Sequence, residues 1–410
     1  MTNLTTRRRA LALLGLGAAG AALAACGGAA SPTAAPTKPA AAPPTTAPAA
    51  NAPTAPAATT APAAATKPAA SAQGVGLIKG PFEGEARALT GAGATFPAPL
   101  YTKWFEEYNK LTQVKVNYQS IGSGGGIKSI SDGTVDFGAT DGPMTDEQMK
   151  ATKGEILHIP MTIGGVAVTY NLPGVNDPLK FTGETLPAIY LGTITKWNDP
   201  KLVADNPALK DVNKDIVVVQ RSDGSGTTYA FSDYLSSVSA DWKSKVGTAT
   251  AVKWPVGLGG KGNEGVAGEV KQNQYSIGYV EVIYALQNKL GVAQMKNKAG
   301  KWVEPKLDGV TAAAAGVADN MPADMRASIV NAAGEAAYPI STFTWLLAYK
   351  QMTDKPKAIA LTRLMWWNIH DGQTFCQELG YAPLPEPVAR KCEEKIQLIN
   401  VDAQKAFPGA

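Results

Sequence analysis

Arg221, Asp223, Ser225 and Thr227 fall within seven residues, in the run Arg-Ser-Asp-Gly-Ser-Gly-Thr. A cation, an acid, hydroxyls and glycines at that spacing could hold a tetrahedral oxyanion through charge-assisted hydrogen bonds. The run follows an apolar stretch at 216–219. It precedes Ala230, Phe231, Tyr234, Leu235 and Val238 on one helical face. The local reading is strand, glycine turn, helix start. Such a turn presents free backbone N–H groups and two hydroxyls at the positive end of a helix dipole, with an arginine beside them. The same run also fits an N-capped turn that binds nothing.

Other stretches repeat the pattern. Ala88-Leu89-Thr90 reads as a strand leading into Gly91-Ala-Gly-Ala-Thr-Phe-Pro97. Pro97 suits the first turn of a helix whose apolar face is Leu100, Tyr101, Trp104, Phe105, Tyr108 and Leu111. Thr95 and Phe96 sit just before that helix. Val114, Val116 and Tyr118 alternate as a strand before the glycine run at 122–126, where Ser123 is placed as a helix N-cap, either unoccupied or sharing its hydroxyl with an anion. Residues 122–129 nearly match a nucleotide P-loop, but Ile127 stands where its second glycine belongs, so that reading fails. The stretch 135–139 is a strand running into Thr140-Asp141-Gly142-Pro143. Asp141 there is either a turn former or a functional acid. Residues 254–263 form a glycine-rich loop before a helix at 264–271, and Lys261 in it reads as a solvated loop residue.

These turns need sheets and helices to hold them. Further strands are expected at 156–160, 165–170, 275–280 and 338–347, and a hairpin at 293–304. Helices are expected at 186–191, 281–288, 356–368, 371–379 and 387–398. Strands alternating with helices argue for an α/β fold with mostly parallel sheets, divided into two lobes.

The N-terminus lies outside that fold. Arg7, Arg8 and Arg9 precede a short apolar run ending in Leu23-Ala24-Ala25-Cys26, which reads as a signal peptide over 1–25. Cys26 follows small residues as in a bacterial lipobox, implying cleavage before it and lipid attachment; an uncleaved anchor is the alternative. Residues 26–84 are rich in Ala, Pro and Thr and are expected to be a disordered tether. The chain carries a formal charge of +4, but residues 1–82 hold six basic residues and no acid, leaving −2 on the remainder. The basic balance therefore gives no argument for nucleic-acid binding. Cys376 and Cys392 are a candidate disulfide in an exported chain, with two buried thiols as the alternative. His158 and His370 are the only histidines, which excludes a His-rich metal centre.

Taken in order, GAGATFPAP at 91–99, YQSIGSGGG at 118–126, VDFGATDGPM at 135–144, RSDGSGT at 221–227 and WPVGLGGKGNEG at 254–265 closely resemble the phosphate-binding proteins of bacterial high-affinity phosphate ABC transporters. The resemblance spans about residues 87–400. It implies a type II periplasmic-binding-protein fold with two hinge crossings, lobe I at 85–168 plus 340–410 and lobe II at 169–339. It also implies inorganic phosphate as ligand, no cofactor, no catalysis, a monomer, and delivery to the transporter's permease subunits from a lipid-anchored position outside the cytoplasmic membrane. Thr95, Phe96, Ser123, Asp141, Arg221, Asp223, Ser225, Gly226 and Thr227 match the implied phosphate site. In it Asp141 accepts the ligand's own O–H, and Asp223 pairs with the arginine. Thr140, Gly124 and Ser222 depart slightly from the family's usual residues without removing an implied side-chain ligand. Two rivals stand beside this expectation. One is a binding protein for sulfate or molybdate. The other is a phosphomonoesterase with Ser123 or Ser225 as nucleophile, for which no base or metal cluster is visible in the sequence.

Overall fold

The computed structural model describes residues 76–408. The expected signal peptide, Cys26 and residues 26–75 of the tether lie outside the described residues. Residues 76–84 were expected to belong to the tether, yet they pack on the folded body. Ile78 is buried, Arg363 Nη2 donates to the Gly80 carbonyl at 2.6 Å, and its guanidinium lies 4.9 Å from the Phe82 ring centre. The folded body thus begins before Glu85, because a few apolar residues inside a Pro-Ala-rich run suffice for local docking.

A nine-stranded sheet organises the chain. Its strands are β1 (Ala88–Gly93), β2 (Lys115–Ser120), β3 (Phe137–Thr140), β4 (Ile156–Asn171), β5 (Val217–Arg221), β6 (Leu258–Gly260), β7 (Ser276–Glu281), β8 (Gly291–Val292) and β9 (Ser341–Tyr349). The order is β2-β1-β3-β9-β4-β7-β5-β6, with β8 paired to β4. Each flank is parallel: β1 with β2 and β3, and β5 with β6 and β7. The two central strands run against the flanks, β9 antiparallel to β3 and β4, and β4 antiparallel to β7.

β4 is one strand of 16 residues, where the sequence suggested two. Pro160, Gly164 and Gly165 gave the impression of a break. Instead, Pro160 sits at a bulge, where the register shifts between Thr344 and Trp345 of β9, so its missing N–H breaks no regular ladder. Through Gly165 the strand pairs with β9, and from Val166 onward it pairs with β7. β4 is therefore common to both flanks.

The helices that matter to the site are α1 (Ala98–Thr112), α2 (Ser123–Asp132), α3 (Gly226–Val238), α4 (Gly262–Gln272) and α5 (Val282–Gln287). Each follows a strand end. Later helices are α6 (Leu307–Ala318), α7 (Lys355–Ile369) and α8 (Glu386–Ile396). The stretch 371–379 is two 3-10 turns rather than an α-helix. α6 has no counterpart in the sequence reading, because its Ala-Ala-Ala-Ala stretch has little amphipathic contrast.

Aromatic clusters fix each flank. Tyr101, Phe105, Tyr118 and Phe137 join α1 to β2 and β3. On the other side Phe231 stacks on Tyr279 with centroids 4.2 Å apart, packing α3 on β7, and Tyr190 meets both rings. Burial of Phe231 alone contributes about 1.5–3 kcal/mol. Among the described residues, no helix is long and apolar enough to cross a membrane.

The candidate disulfide is corrected: Cys376 and Cys392 are both free thiols. The Cys376 sulfur lies 3.5 Å from the Thr162 hydroxyl, while the Cys392 thiol donates to the Pro160 carbonyl at 3.3 Å. The two sulfurs are engaged at different points of β4. Burial pushes Cys376 up to about 12 and raises Cys392 as well, so neither forms a thiolate readily.

Candidate functional site

The ends of β1, β2, β3, β5 and β6 bring five turns together. The turn after β1 carries Thr95 and Phe96, and the turn after β2 leads to Ser123. Asp141 directly follows β3, while Ser225, Gly226 and Thr227 start α3. Thr95, Phe96, Ser123, Asp141, Arg221, Ser225 and Thr227 are all buried. Gly226 is buried as well, and Asp223 is half-buried. All nine expected site residues are thus gathered around one point.

Close backbone approach makes this meeting possible. Gly124 N donates to the Gly224 carbonyl at 2.9 Å, joining the turn after β2 to the turn after β5. A Cβ on Gly226 would lie 2.5 Å from the Asp141 amide nitrogen, so no larger residue fits there. Ser225 Oγ accepts from Thr228 N at 3.0 Å and caps α3, as its position before the helix implies. Ser123 does not cap α2. That role falls to Gly122 at φ 87°, in the left-handed region, with no side-chain bond. The Ser123 oxygen instead accepts from Gly226 N at 2.9 Å and from Asp141 N at 3.3 Å. It therefore binds the N-terminus of a helix 103 residues away.

Arg221 and Asp223 form a two-point ion pair, with Nε to Oδ1 at 2.8 Å and Nη2 to Oδ2 at 2.7 Å. Asp223 Oδ1 also accepts from Gly262 N, the first amide of α4, at 3.0 Å. Burial pushes the Asp223 carboxyl up, but the guanidinium and the amide outweigh it and hold the group below its usual range. Arg221 Nη1 reaches the Thr227 hydroxyl at 3.4 Å, and Arg221 N donates to the Tyr279 hydroxyl at 3.2 Å.

Asp141 has a different environment. Oδ1 accepts from the Thr344 hydroxyl at 2.9 Å, and Oδ2 lies 3.4 Å from the Ser123 hydroxyl. Burial drives its carboxyl up to about 7, against the Thr344 hydroxyl, the Arg221 charge and the Ser123 hydroxyl, which favour the ionised form. The site therefore combines hydroxyl and N–H donors, an arginine whose charge is already cancelled, and one acid poised near neutrality.

Several contributors escaped the sequence reading. Asn263 on α4 donates from Nδ2 to Thr95 Oγ1 at 2.7 Å and to Thr227 Oγ1 at 3.1 Å. Its position in the fifth glycine-rich turn was the available signal. Thr344 interrupts an apolar strand, which was a faint one. Tyr284 donates to the Thr95 carbonyl at 2.6 Å and Tyr381 to the Phe96 carbonyl at 2.7 Å, fixing the turn after β1. Glu281 is fully buried, and burial holds its carboxyl well above the usual range; its Oε2 accepts from Ile283 N and lies 3.3 Å from the Tyr381 hydroxyl. Lys261 is exposed and stands outside the cage.

A family profile described as the PBP superfamily domain matches residues 50–365. Phosphate-binding protein PstS of Haemophilus influenzae is 46% identical over 305 residues, covering 74% of this chain and 91% of that protein. Phosphate-binding protein PstS of Xylella fastidiosa is 45% identical over 306 residues, covering 74% and 84%. Among solved structures, the phosphate-binding protein from Stenotrophomonas maltophilia aligns with a TM-score of 0.59 at 17% identity, covering 75% of this chain and 94% of that one. That last match is a likeness of fold.

Proposed function

The chain belongs to the PstS family of phosphate-binding proteins within the PBP superfamily, and from that premise we propose that it captures inorganic phosphate and delivers it to an ABC transporter permease for import. The ligand is held between two lobes, residues 85–168 with 340–410 and residues 169–339. The crossings near 169–170 and 338–339 act as hinges. The hand-over of β4 from β9 to β7 after Gly165 supports this division. Thr95, Phe96, Ser123 and Asp141 belong to the first lobe, and Arg221 to Thr227 to the second. Phosphate touches both and so stabilises the closed form by its higher affinity for it.

One observation carries the reading: Asp141, a buried acid, stands among donors beside an arginine already neutralised by Asp223. A carboxylate facing an anion is tolerable only if one proton lies between them. Hydrogen- or dihydrogenphosphate brings that proton and donates to Asp141. Sulfate has none at neutral pH and would leave two buried acceptors opposed, costing at least ~1–3 kcal/mol. The hydroxyls of Thr95, Ser123 and Thr227 and the N–H groups at Phe96 and Thr227 serve the remaining oxygens, while the Gly226 N–H holds Ser123 in place. Ser225 contributes mainly by holding the α3 N-terminus open to the ligand. The protein acts as a carrier without chemistry, needs no cofactor and works as a monomer. It is exported and held by lipid on Cys26 at the outer face of the cytoplasmic membrane.

Isothermal titration with phosphate, after removal of bound anion by unfolding and refolding, tests the proposal. The expected result is one site per chain with sulfate far weaker. Equal affinity for both anions, or none for phosphate, would sink it.

A further inference from the structure

Asn263 joins the two halves of the cage, and its amide orientation is fixed by a group that cannot change its role. Glu281 N, a backbone donor, gives its hydrogen to Asn263 Oδ1 at 2.8 Å. Oδ1 must therefore face β7, and Nδ2 with its two hydrogens must face the threonines. One meets Thr95 Oγ1 at 2.7 Å and the other Thr227 Oγ1 at 3.1 Å. Asn263 N adds a second donor to Thr95 Oγ1 at 3.2 Å, and Arg221 Nη1 adds a second to Thr227 Oγ1 at 3.4 Å. A hydroxyl oxygen has two lone pairs and one hydrogen. Both threonines have both lone pairs engaged. Among the described residues neither hydroxyl donates to a protein acceptor, so each has its hydrogen free for the cage.

We propose that Asn263 is a positioning residue for anion selectivity: it forces the Thr95 and Thr227 hydroxyls to act only as donors toward the bound anion. This rests on the phosphate reading above. With these oxygens unable to accept, Asp141 is the acceptor left for a proton on the ligand. Asn263 thereby sets how many proton-bearing oxygens the cage admits, without touching the anion. The charged or titratable groups around it are Arg221, Asp223, Glu264, Asp141, Glu281 and Tyr284, contributed by β5 and its turn, α4, the turn after β3, β7 and α5.

The test titrates inorganic phosphate into the whole chain, stripped of anion, as wild type and as Asn263→Asp. An ionised aspartate keeps the bond to Glu281 N but turns both hydroxyls inward as donors to itself. N263D is expected to bind about 100-fold more weakly than wild type near about pH 9, the gap closing to about tenfold near about pH 5 as the new carboxyl takes a proton and donates again. A residue that merely holds the fold gives no such rescue by acid. A constant gap across the range, or no gap near about pH 9, overturns the proposal. Asn263→Ala provides a second measurement should N263D not fold. It removes the donors without adding an acceptor and is expected to lose about tenfold in affinity at every pH. Full affinity in N263A also overturns the proposal. If wild type binds no phosphate at all, the functional reading itself fails, which is a separate result.

Discussion

Asp141 and Asp223 are both Asp-Gly dipeptides in turns that follow a strand, and they meet in the same cage in opposite states. Asp223 lies two residues from the arginine it pairs with, and it takes an additional amide from α4. Asp141 has hydroxyls as its side-chain partners, on strands and helices distant in sequence. Burial opposes ionisation of both. Only Asp223 has a cation in hydrogen-bond contact to overcome it, so it stays anionic and cancels Arg221. The charge of the cage then depends on Asp141. Identical local sequence thus yields a structural anion in one turn and a proton-sensitive acceptor in the other.

The comparison can be broken most forcefully at its cation. Arg221→Met leaves Asp223 half-buried and unpaired. Loss of stability of about 3–5 kcal/mol is expected in urea unfolding, with phosphate affinity down about 1000-fold by titration calorimetry. Near-normal affinity would mean that the pair is only scaffolding.

Asp141→Asn tests the other acid. The side-chain amide can donate as well as accept, so phosphate is expected to weaken by about 100-fold while sulfate weakens little or gains. Competition between the two anions reads the ratio. An unchanged ratio would locate selectivity elsewhere.

Stability against pH separates the two acids by sign. Asp141 has a folded pKa raised from 3.8 to about 7. Its contribution is fully present below the unfolded value and is lost as pH rises through about 7. Asp223 is lowered, so its contribution is present above the usual aspartate range and is lost as pH falls. Removing the Asp141 charge by D141N should therefore stabilise the protein by about 2–4 kcal/mol near about pH 8 and by little near about pH 4. Thermal melts across that range would expose an absent or inverted slope. The same protonation predicts that wild-type sulfate affinity rises by about tenfold on acidification from about pH 8 to about pH 6, because a protonated Asp141 can donate to sulfate. Finally, Lys261→Ala should change phosphate affinity by less than about twofold, since a solvated charge acts weakly across water and salt. A larger loss would show that net charge, rather than placed donors, attracts the anion.

The turns were legible because strand, glycine and helix start follow one another along the chain. Their pairing was not, since it depends on contacts between residues far apart. Ser123 illustrates this: it looked like the cap of its own helix and instead serves α3, because Gly122 and Gly226 allow the two turns to approach. Asn263 and Thr344 were missed because one looked like the end of a glycine loop and the other like part of a core strand. Pro160 made β4 look broken, since the bulge that accommodates it, with Met161 left unpaired opposite Thr344 and Trp345, depends on a register set by a strand far away in sequence. The spacing of Cys376 and Cys392 suggested a bridge, but tertiary placement gives each sulfur its own partner.

β4 has a consequence for the order in which the molecule can be made. Its first ten residues find their neighbour in β9, which begins at Ser341, while its last six pair with β7. The flank of β1, β2 and β3 cannot be joined to β4 by chain that emerges early, because β9 stands between β3 and β4. A nascent chain that has delivered every residue of the proposed anion cage through Asn263 still lacks Thr344, and with it the bond that holds Asp141. Assembly of the binding site is thus coupled to near-completion of synthesis, as expected for a topology rich in distant pairings, where loop closure precedes most of the stabilising contacts.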